Sequence, residues 1–463
     1  MKMKYVFGLI LFMLMQPLRS ELNLELPETI LSSGVNGATS AAPINFSSIG
    51  IKKLRAVRKS AAVMEDPELN QWLRGIGNRL VAQTSFSNRP FYFVIVRDDD
   101  VNAFATQGGL IVINSGLILR AESESELAAV MAHEIAHITQ QHIERIIAAD
   151  KQNKLGNAAA VVAGLLVGSK DPTAGQAIFA SAMAVDAHRS LRFGRSAETE
   201  ADREGLRILA SAKYNPNGMT RFLRKLGGGA DARYSGISEY LTSHPLTAKR
   251  VSDVGQRAAR YGAYQGKPSS AFPYMQQRIR VLTRHPGNSS KVAEAAVRYG
   301  KALRQLQQGK AAAATQLLNQ HSKNGYQQLL RANAYNEQSQ FDKALALLKS
   351  LHAARPNDEA VLIALADSLV GLKRYADAWK LLERFSLREQ TSLDFLGTRQ
   401  EVARLAGRTG QAYLSIAERN IRIGAYNHAL IQLKQAQKVP NLSLAERQAV
   451  EQAMYRAKQF KKR

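Results

Sequence analysis

Cysteine is absent from the 463 residues, which excludes disulfide bonds and a lipid-anchored N-terminal cysteine. Aromatic residues make up only 7% of the chain, and no stacking platform or nucleic-acid-binding motif is visible. Long apolar runs are also missing. The N-terminal run Tyr5–Met15 is shorter than the roughly 20 residues that a transmembrane helix needs. Two lysines before that run and the small residue Ser20 after it instead predict a secretory signal peptide over residues 1–20. An uncleaved membrane anchor is the alternative interpretation.

Acidic residues are few, with 38 against 63 basic ones and a formal net charge of +25. Loss of Lys2, Lys4 and Arg19 with the signal peptide would lower the charge to +22, and residues 290–463 alone carry +14. In a secreted chain this excess favours an anionic partner protein or peripheral association with an anionic membrane surface over nucleic acid. A solvated charge excess without a dedicated partner is the competing interpretation.

The motif with the most chemical content is H-E-x-x-H, formed by His133, Glu134 and His137. Two imidazoles four residues apart share one helical face and can hold a metal ion, while the glutamate can act on a water molecule at the same ion. A capping box at Ser123 and Glu126 predicts the start of the helix. Apolar residues at helical spacing continue it: Leu127, Val130, Met131, Ile135 and Ile138. The alternative is a helix with two surface histidines.

A catalytic zinc site needs a third protein ligand, and Glu198 is the best candidate. Glu198 and Asp202 lie four residues apart in a helical pattern, so one can bind the metal while the other accepts a hydrogen bond from a ligating histidine. A solvated acidic helix face is the ordinary explanation for such a segment. The histidine motif upstream favours the metal interpretation.

These two segments resemble the HtpX and CAAX-prenyl-protease type family of zinc peptidases, whose pattern is H-E-x-x-H followed by E-x-x-x-D on a later helix. Two flanking segments are also similar to that family, one over 102–117 and the other running from Ser243-His244-Pro245-Leu246 to Arg250. The resemblance implies one Zn²⁺ per chain. By that resemblance its ligands are His133, His137 and Glu198, Glu134 is the general base, and Asp202 supports a ligand.

The H-P histidine, His244, corresponds by the same resemblance to a residue that can sit over the zinc as an extra ligand and hold the enzyme latent. A fourth neutral nitrogen would occupy the position that water needs. The alternative is a loop histidine that precedes a proline. Arg250 is a possible stabiliser of the oxyanion formed during peptide hydrolysis. It is equally well explained as a surface cation.

Strands are predicted over 91–96 and 110–113, on either side of an acidic turn at 98–100. In a zinc peptidase of this kind, the second strand could hold an extended substrate by edge hydrogen bonds. The predicted substrate-binding residues are therefore Leu110, Ile111, Val112 and Ile113. The three aspartates of the turn lack the glycine and distal glutamate of a calcium loop, so a solvated turn is expected.

Small apolar residues dominate 158–167 and 177–185, and each stretch is too short to span a bilayer. Helices buried over the metal helix are expected, and contact with a membrane surface is the minor alternative. Glycines at 227–229 and 236 predict a flexible loop that could gate the cleft.

A period of 34 residues is visible in the C-terminal part of the chain. Phe341, Ala344 and Leu347 recur as Tyr375, Ala378 and Leu381. This spacing is typical of tetratricopeptide repeats, whose stacked helix pairs present a surface for a peptide or partner protein. An ordinary helical bundle is the alternative.

The predicted fold class is α+β and mainly α, with a zincin-like metallopeptidase domain that contains a small sheet and an all-α tetratricopeptide-repeat solenoid after it. The predicted domains are a signal peptide (1–20), an irregular leader (21–48), the peptidase (49–263), a linker (264–289) and the repeats (290–463).

The predicted activity is zinc-dependent endopeptidase hydrolysis in the periplasm of a Gram-negative bacterium. The resemblance is closest to a periplasmic subgroup that joins such a peptidase to tetratricopeptide repeats. It implies that the substrates are misfolded or stalled outer-membrane proteins, that a chaperone-like role accompanies degradation, and that the repeats contact the outer-membrane assembly machinery. A non-proteolytic assembly factor that uses the metal fold as a scaffold is the competing class. A membrane-integral peptidase is a third.

Overall fold

A computed structural model describes residues 46–60, 63–145, 194–227, 240–241, 243–285, 293–318 and 321–462. The predicted signal peptide, nearly all of the predicted leader, both small apolar stretches and most of the predicted gating loop lie outside the described residues. Within the described ranges, no helix combines the length and apolarity that crossing a bilayer requires.

Two helices and a small sheet open the described chain: α1 Phe46–Ser60, α2 Pro67–Val81, β1 Tyr92–Val96, β2 Ala103–Thr106 and β3 Leu110–Asn114. The start of α2 follows from its sequence, because Pro67 occupies the first turn and the Asp66 carboxylate accepts a hydrogen bond from the Leu69 backbone N–H at 3.0 Å. The observed β1 agrees with the predicted strand to within one residue.

The sheet has the strand order β1-β3-β2. β3 pairs in parallel with β1, with Leu110 opposite Tyr92, and antiparallel with β2, with Ile113 opposite Ala103. Gly108 in the tight β2–β3 turn has φ +92°, and a Cβ there would lie 2.3 Å from the backbone nitrogen of Gly50 on α1. The turn therefore requires glycine and fixes α1 against the sheet.

The two faces of the sheet are covered by different helices. Residues such as Phe93, Ile95 and Ile111 belong to the main core with α2, while their neighbours Val94 and Val112 pack in a second cluster with α1. This period-two alternation buries the sheet on both faces.

The prediction that Leu110, Ile111, Val112 and Ile113 pair with a substrate is wrong. β3 is the central strand, its backbone is hydrogen-bonded to β1 on one side and β2 on the other, and its side chains are at most 2% exposed. A third partner has no unpaired edge to use. The edge on this side of the sheet is β2.

The helices that carry the functional residues follow the sheet: α3 Ser115–Arg120, α4 Glu124–Thr139, α5 over described residues 194–211, α6 Asn217–Gly227 and α7 Ala248–Ala259. The Ser123 hydroxyl caps α4 by accepting from the Glu126 N–H at 3.3 Å. The Glu126 carboxylate turns back to the Glu122 N–H at 2.9 Å and also binds Lys225 of α6 at 2.6 Å. These contacts anchor the start of α4 to its neighbour.

The predicted linker contains a packed helix, α8 Phe272–Thr283. Met275 and Ile279 of α8 are fully buried in the same core as α2 and α4, and that core continues into the next helices through Tyr299 and Leu303. Arg278 of α8 binds the Asp66 carboxylate and the Tyr299 hydroxyl. The connection is therefore part of the peptidase core.

The remaining chain is helical: α9 Glu294–Gln307, α10 Ala311–Leu317, α11 Gly325–Glu337, α12 Phe341–Ala354, α13 Glu359–Gly371, α14 Tyr375–Glu383, α15 Leu393–Leu405, α16 Thr409–Arg422, α17 Tyr426–Gln437 and α18 Leu444–Lys462. Successive helices pack against one another, and two further apolar clusters fill the array. The predicted fold class, mainly α with a small sheet and an all-helical C-terminal region, is confirmed.

The array also contacts the start of the peptidase region. The Arg55 guanidinium of α1 donates two hydrogen bonds to Glu389, at 3.0 and 2.9 Å, and Arg74 of α2 binds Glu359 of α13 at 3.0 Å. Arg55 is 2% exposed and Glu389 is 19% exposed, so the pair is partly buried. The helical array and the peptidase region are therefore joined at several points besides the chain itself.

Candidate metal centre

α4 brings His133 and His137 to one buried face. Their Nε2 atoms lie 3.0 Å apart, and the two rings meet edge to face. The spacing of four residues is responsible, because it returns side chains to the same side of a helix after one turn. Both imidazoles thus direct a ring nitrogen to one point.

α5 crosses α4 and supplies two carboxylates from the same face. Glu198 Oε1 lies 3.3 Å from His137 Nε2, while Asp202 Oδ1 lies 3.1 Å from His133 Nδ1. A Cβ on Gly205 of α5 would come within 3.1 Å of the His133 backbone, so the close crossing depends on this glycine. The structure thus brings together the residues that the sequence proposed from two distant segments.

His244 completes the cluster from the loop before α7. Its Nδ1 lies 3.1 Å from Glu198 Oε1 and 3.4 Å from His133 Nε2, and its ring packs on Tyr240 with 4.7 Å between centroids. The candidate ligand atoms of His133, His137, Glu198 and His244 all lie within 4.8 Å of one another. Three imidazoles and one carboxylate therefore converge on one point.

Arg250 lies beneath this cluster on α7. Its Nε and Nη2 donate to Asp202 at 2.7 and 2.9 Å, and Nη1 donates to the Pro245 carbonyl at 2.8 Å and lies 2.9 Å from Glu198 Oε2. The side chain is 5% exposed, so the surface-cation alternative is wrong. These contacts hold both carboxylates, and the oxyanion role stays a prediction.

The electrostatics of the cluster favour ionised carboxylates beside the histidines. Burial would raise the pKa of Glu198, but the close contacts with His133, His137 and His244 outweigh it and hold this pKa well below its usual range. Burial likewise opposes the protonated form of His133, yet Asp202 and Glu198 raise its pKa to about 10. Burial lowers the pKa of His137 to about 3, which favours its neutral form.

Glu134 lies beside the cluster without joining it. Its Oε1 is 3.5 Å from His244 Nε2, and within the described residues that oxygen has no hydrogen-bond partner although the side chain is 2% exposed. Burial raises the pKa of Glu134. A buried carboxyl oxygen without a partner, next to converging nitrogen and oxygen ligands, is suited to a proton-transfer role.

Sequence reasoning gave no role to His142 and Glu200. His142 is 1% exposed, its Nδ1 lies 2.9 Å from His137 Nδ1, and its Nε2 lies 3.2 Å from Glu200 Oε2. Glu200 also accepts from Arg145 at 2.9 Å. His142 follows the end of α4, where helical spacing no longer predicts position, so the sequence offered no signal beyond its residue type.

The residues present fit a divalent metal ion. Imidazole nitrogen and carboxylate oxygen are the ligand types that Zn²⁺ takes in catalytic sites, and Asp202 supplies the hydrogen bond that fixes a ligating histidine. The partnerless Glu134 oxygen lies beside this ligand set, where a reacting water would stand. The cluster is therefore a candidate metal centre.

Two family models match the chain. The model of peptidase family M48 matches residues 67–258, and a tetratricopeptide-repeat model matches residues 335–396. The first range contains all the residues of the candidate metal centre. The second confirms the repeats that the 34-residue period predicted.

Several bacterial proteins are similar over much of their length. A putative beta-barrel assembly-enhancing protease of Vibrio cholerae is 33% identical over 68% of this chain and 61% of its own length. The beta-barrel assembly-enhancing protease of Yersinia pestis is 32% identical over 81% of this chain and 84% of its own length. The beta-barrel assembly-enhancing protease of Escherichia coli K12 is 29% identical over 83% of this chain and 87% of its own length.

The fold and the site define a metallopeptidase with a C-terminal tetratricopeptide-repeat region. The chain belongs to peptidase family M48. The resemblance to beta-barrel assembly-enhancing proteases extends over most of the chain, repeats included.

Proposed function

We propose that the chain is a zinc-dependent endopeptidase of the periplasm that degrades misassembled outer-membrane proteins. The observation that carries the catalytic part is the convergence of His133, His137 and Glu198 beside the partnerless carboxyl oxygen of Glu134. These three residues would hold one Zn²⁺, which when bound polarises the scissile carbonyl and acidifies water.

Glu134 acts as the general base and then as the general acid. Its buried carboxyl group takes a proton from the attacking water and passes it to the departing amine. The raised pKa that burial gives Glu134 brings the group closer to the range in which one carboxyl group can do both. Asp202 holds His133 through Nδ1, which directs Nε2 of that ring toward the other ligands.

Arg250 stabilises the acidic half of the site. Asp202 and Glu198 are both buried, and the guanidinium contacts each of them within 3 Å. Two carboxylates on one helical face would repel each other without this cation. Arg250 therefore positions Asp202, and a further role toward the oxyanion requires that one of its N–H groups reorient.

His244 acts as a latch. Its Nδ1 is close to both Glu198 and His133, so the ring stands where a fourth ligand or a water would bind. The loop before α7 must withdraw it before a substrate is cleaved. Packing on Tyr240 supports the closed position.

An extended substrate pairs with β2 rather than with β3. β2 is the edge strand next to the cluster, and the Ala105 backbone is hydrogen-bonded to Glu134. A peptide added along this edge would pass the general base with its backbone held by main-chain hydrogen bonds. Because such recognition depends little on substrate side chains, we expect the peptidase to cleave substrates of many different sequences.

The names of the bacterial relatives and the predicted signal peptide support the biological part of the proposal. Substrates would be outer-membrane β-barrel proteins stalled during assembly, and the repeats would contact the outer-membrane assembly machinery. A chaperone-like activity would accompany degradation, because bound clients can be released as well as cleaved.

The test is a comparison of the purified parent with Glu134→Gln and with Glu122→Gln, an exposed carboxylate of the same helix region. Glu134→Gln should retain one equivalent of zinc and lose casein digestion, while Glu122→Gln should match the parent. Digestion by Glu134→Gln at the parental rate would refute the assigned base. Failure of the parent to take up stoichiometric zinc would refute the metal.

Location and substrates need separate measurements in cells. Osmotic shock should release the protein, and Glu134→Gln should accumulate crosslinks to unassembled outer-membrane proteins. Retention in carbonate-washed membranes would favour a membrane-integral enzyme instead. Crosslinks without any outer-membrane client would contradict the proposed substrates.

A further inference from the structure

A groove between three helices of the repeats has no assigned role. α13 lies between α12 and α14, and the space above it has a volume of about 490 Å³. Volumes of this size hold ligands or a few side chains of a peptide. We call this space the repeat groove.

The floor of the repeat groove is apolar. Leu362, Leu365 and Leu369 lie on one face of α13, Leu345 comes from α12, and Leu381 and Phe385 come from α14 and the residues after it. Leucines of α13 reach the groove at spacings of three and four residues, so they form a stripe along its length. The four leucines of α12 and α13 are buried, at 2 to 7% exposure, and form the base of the groove. The apolar surface open to a ligand comes mainly from the half-buried Leu381 and Phe385.

The rim of the repeat groove is basic. Lys349, Lys380 and Arg384 line it and are exposed. Asp377 is the acidic residue among the lining residues, and its carboxylate is already bound to Arg374 at 2.7 Å. The uncompensated charge at the rim is therefore positive.

We propose that the repeat groove binds a segment of a partner protein in which apolar side chains are flanked by aspartates or glutamates. Leu381 and Phe385, above the buried leucines, take the apolar side chains, and the rim cations select flanking carboxylates. A flat anionic membrane would meet the rim but would not reach the recessed floor. The combination therefore favours an acidic peptide over a lipid surface.

This inference extends the partner-binding role proposed above for the repeats and does not depend on proteolysis. The groove lies in α12 to α14, while the candidate metal centre is built by α4, α5 and the residues before α7. A binding assay can therefore fail while peptide hydrolysis is intact, and the reverse also holds.

The test measures fluorescence anisotropy of a short labelled peptide with a central Leu-Phe pair flanked by glutamates. The full chain carrying Glu134→Gln serves as the receptor, so that the probe is not cleaved. Reversing two rim charges with Lys380→Glu and Arg384→Glu should weaken binding about tenfold, which corresponds to about 1.4 kcal/mol. The matched control is Lys434→Glu with Lys438→Glu, two exposed lysines at and just after the end of α17.

Two altered probes separate the contributions. Replacing the glutamates with lysines should abolish binding, and replacing Leu-Phe with Ser-Ser should weaken it while leaving its salt dependence. Leu381→Gln should reduce affinity for the first probe, and it is safer for folding than a change at a fully buried leucine because Leu381 is partly exposed.

Equal affinity of the rim variant and the control would overturn the proposal, as would equal binding of the acidic and lysine probes. Binding to phosphatidylglycerol vesicles that is lost in the rim variant, without peptide binding, would overturn it in favour of a membrane contact.

Discussion

His142 Nδ1 lies 2.9 Å from His137 Nδ1, and its own Nε2 lies 3.2 Å from Glu200. Within the described residues, His142 Nε2 approaches the Glu200 carboxylate without forming a hydrogen bond. We infer that His137 carries its proton on Nδ1, toward His142 Nδ1, so that its Nε2 is left for the metal. His142 is therefore a positioning residue for a proposed ligand.

His142→Ala should lower zinc affinity about tenfold, the smaller end of the effect that such supporting groups have. Competition with a chromogenic chelator measures the affinity directly and needs no substrate. His428→Ala, which removes an exposed histidine of α17, is the control. Unchanged zinc affinity in His142→Ala would show that its contact with His137 does not orient the ligand.

Gly205→Ala should weaken zinc binding several-fold, because its Cβ would press on the His133 backbone from 3.1 Å and separate α5 from α4. Gly397→Ala in α15 is the matched change, since a Cβ there meets nothing within 4 Å. That control should be neutral or stabilise the protein by up to about 1 kcal/mol. Chelator competition and thermal unfolding give the two readouts, and equal behaviour of both variants would contradict the close crossing.

Arg250→Ala should destabilise the protein by about 3 kcal/mol, because it leaves the buried Asp202 and Glu198 without their cation. Arg203→Ala is the control, since Arg203 is 51% exposed and its pair with Asp253 should contribute less than about 1 kcal/mol. Denaturant unfolding followed by circular dichroism checks both. A similar small loss in the two variants would mean that the buried pair adds little.

His244→Ala should raise the basal rate of casein digestion several-fold if the imidazole blocks the position that water needs. The matched change is His321→Ala, in the loop before α11. The zinc content of each variant is measured in parallel, so that a loss of metal is not mistaken for a loss of activity. A rate at or below that of the parent, with zinc retained, would contradict the latch.

A fragment that ends at residue 286 should be much less soluble than one that ends at residue 337. The shorter fragment lacks Tyr299, Ala302 and Leu303, which are buried in the core of the peptidase region, while the longer one completes that core. Light scattering and tryptic digestion of the two fragments provide the comparison. Equal solubility would mean that α9 to α11 are not needed to cover the peptidase region.

Local sequence patterns predicted individual helices and strands better than they predicted which elements lie side by side. The Ser123 cap and the apolar spacing after it predicted α4, and the apolar run at 110–113 predicted β3. The position of β3 in the sheet could not be predicted, because β2 has only four residues and too little alternation to be recognised as a strand. Without β2, the central strand was mistaken for an edge.

In the candidate site too, residues within recognisable motifs were predicted and a residue outside them was not. The H-E-x-x-H spacing proposed His133 and His137, the need for a third ligand proposed Glu198, and the family resemblance added His244. The structure places the candidate ligand atoms of all four within 4.8 Å of one another. His142 could not be found by spacing, because Gln141 has φ +55° and turns the chain back toward α4 after the helix has ended. A contact made by a reversal of the backbone has no helical or strand period to reveal it.

α11 has one face in each of two apolar clusters, with Leu330 and Ala334 in the core of the peptidase region and Leu329 and Ala332 in that of the following repeats. A chimera that joins this protease to a foreign recognition module must therefore retain everything through Glu337 and provide new partners for the outward face of that helix. The same requirement restricts recombination in evolution. An exchange at the predicted domain border near residue 290 would leave both apolar cores incomplete. An exchange beyond α11 could vary the repeats and keep the peptidase region intact.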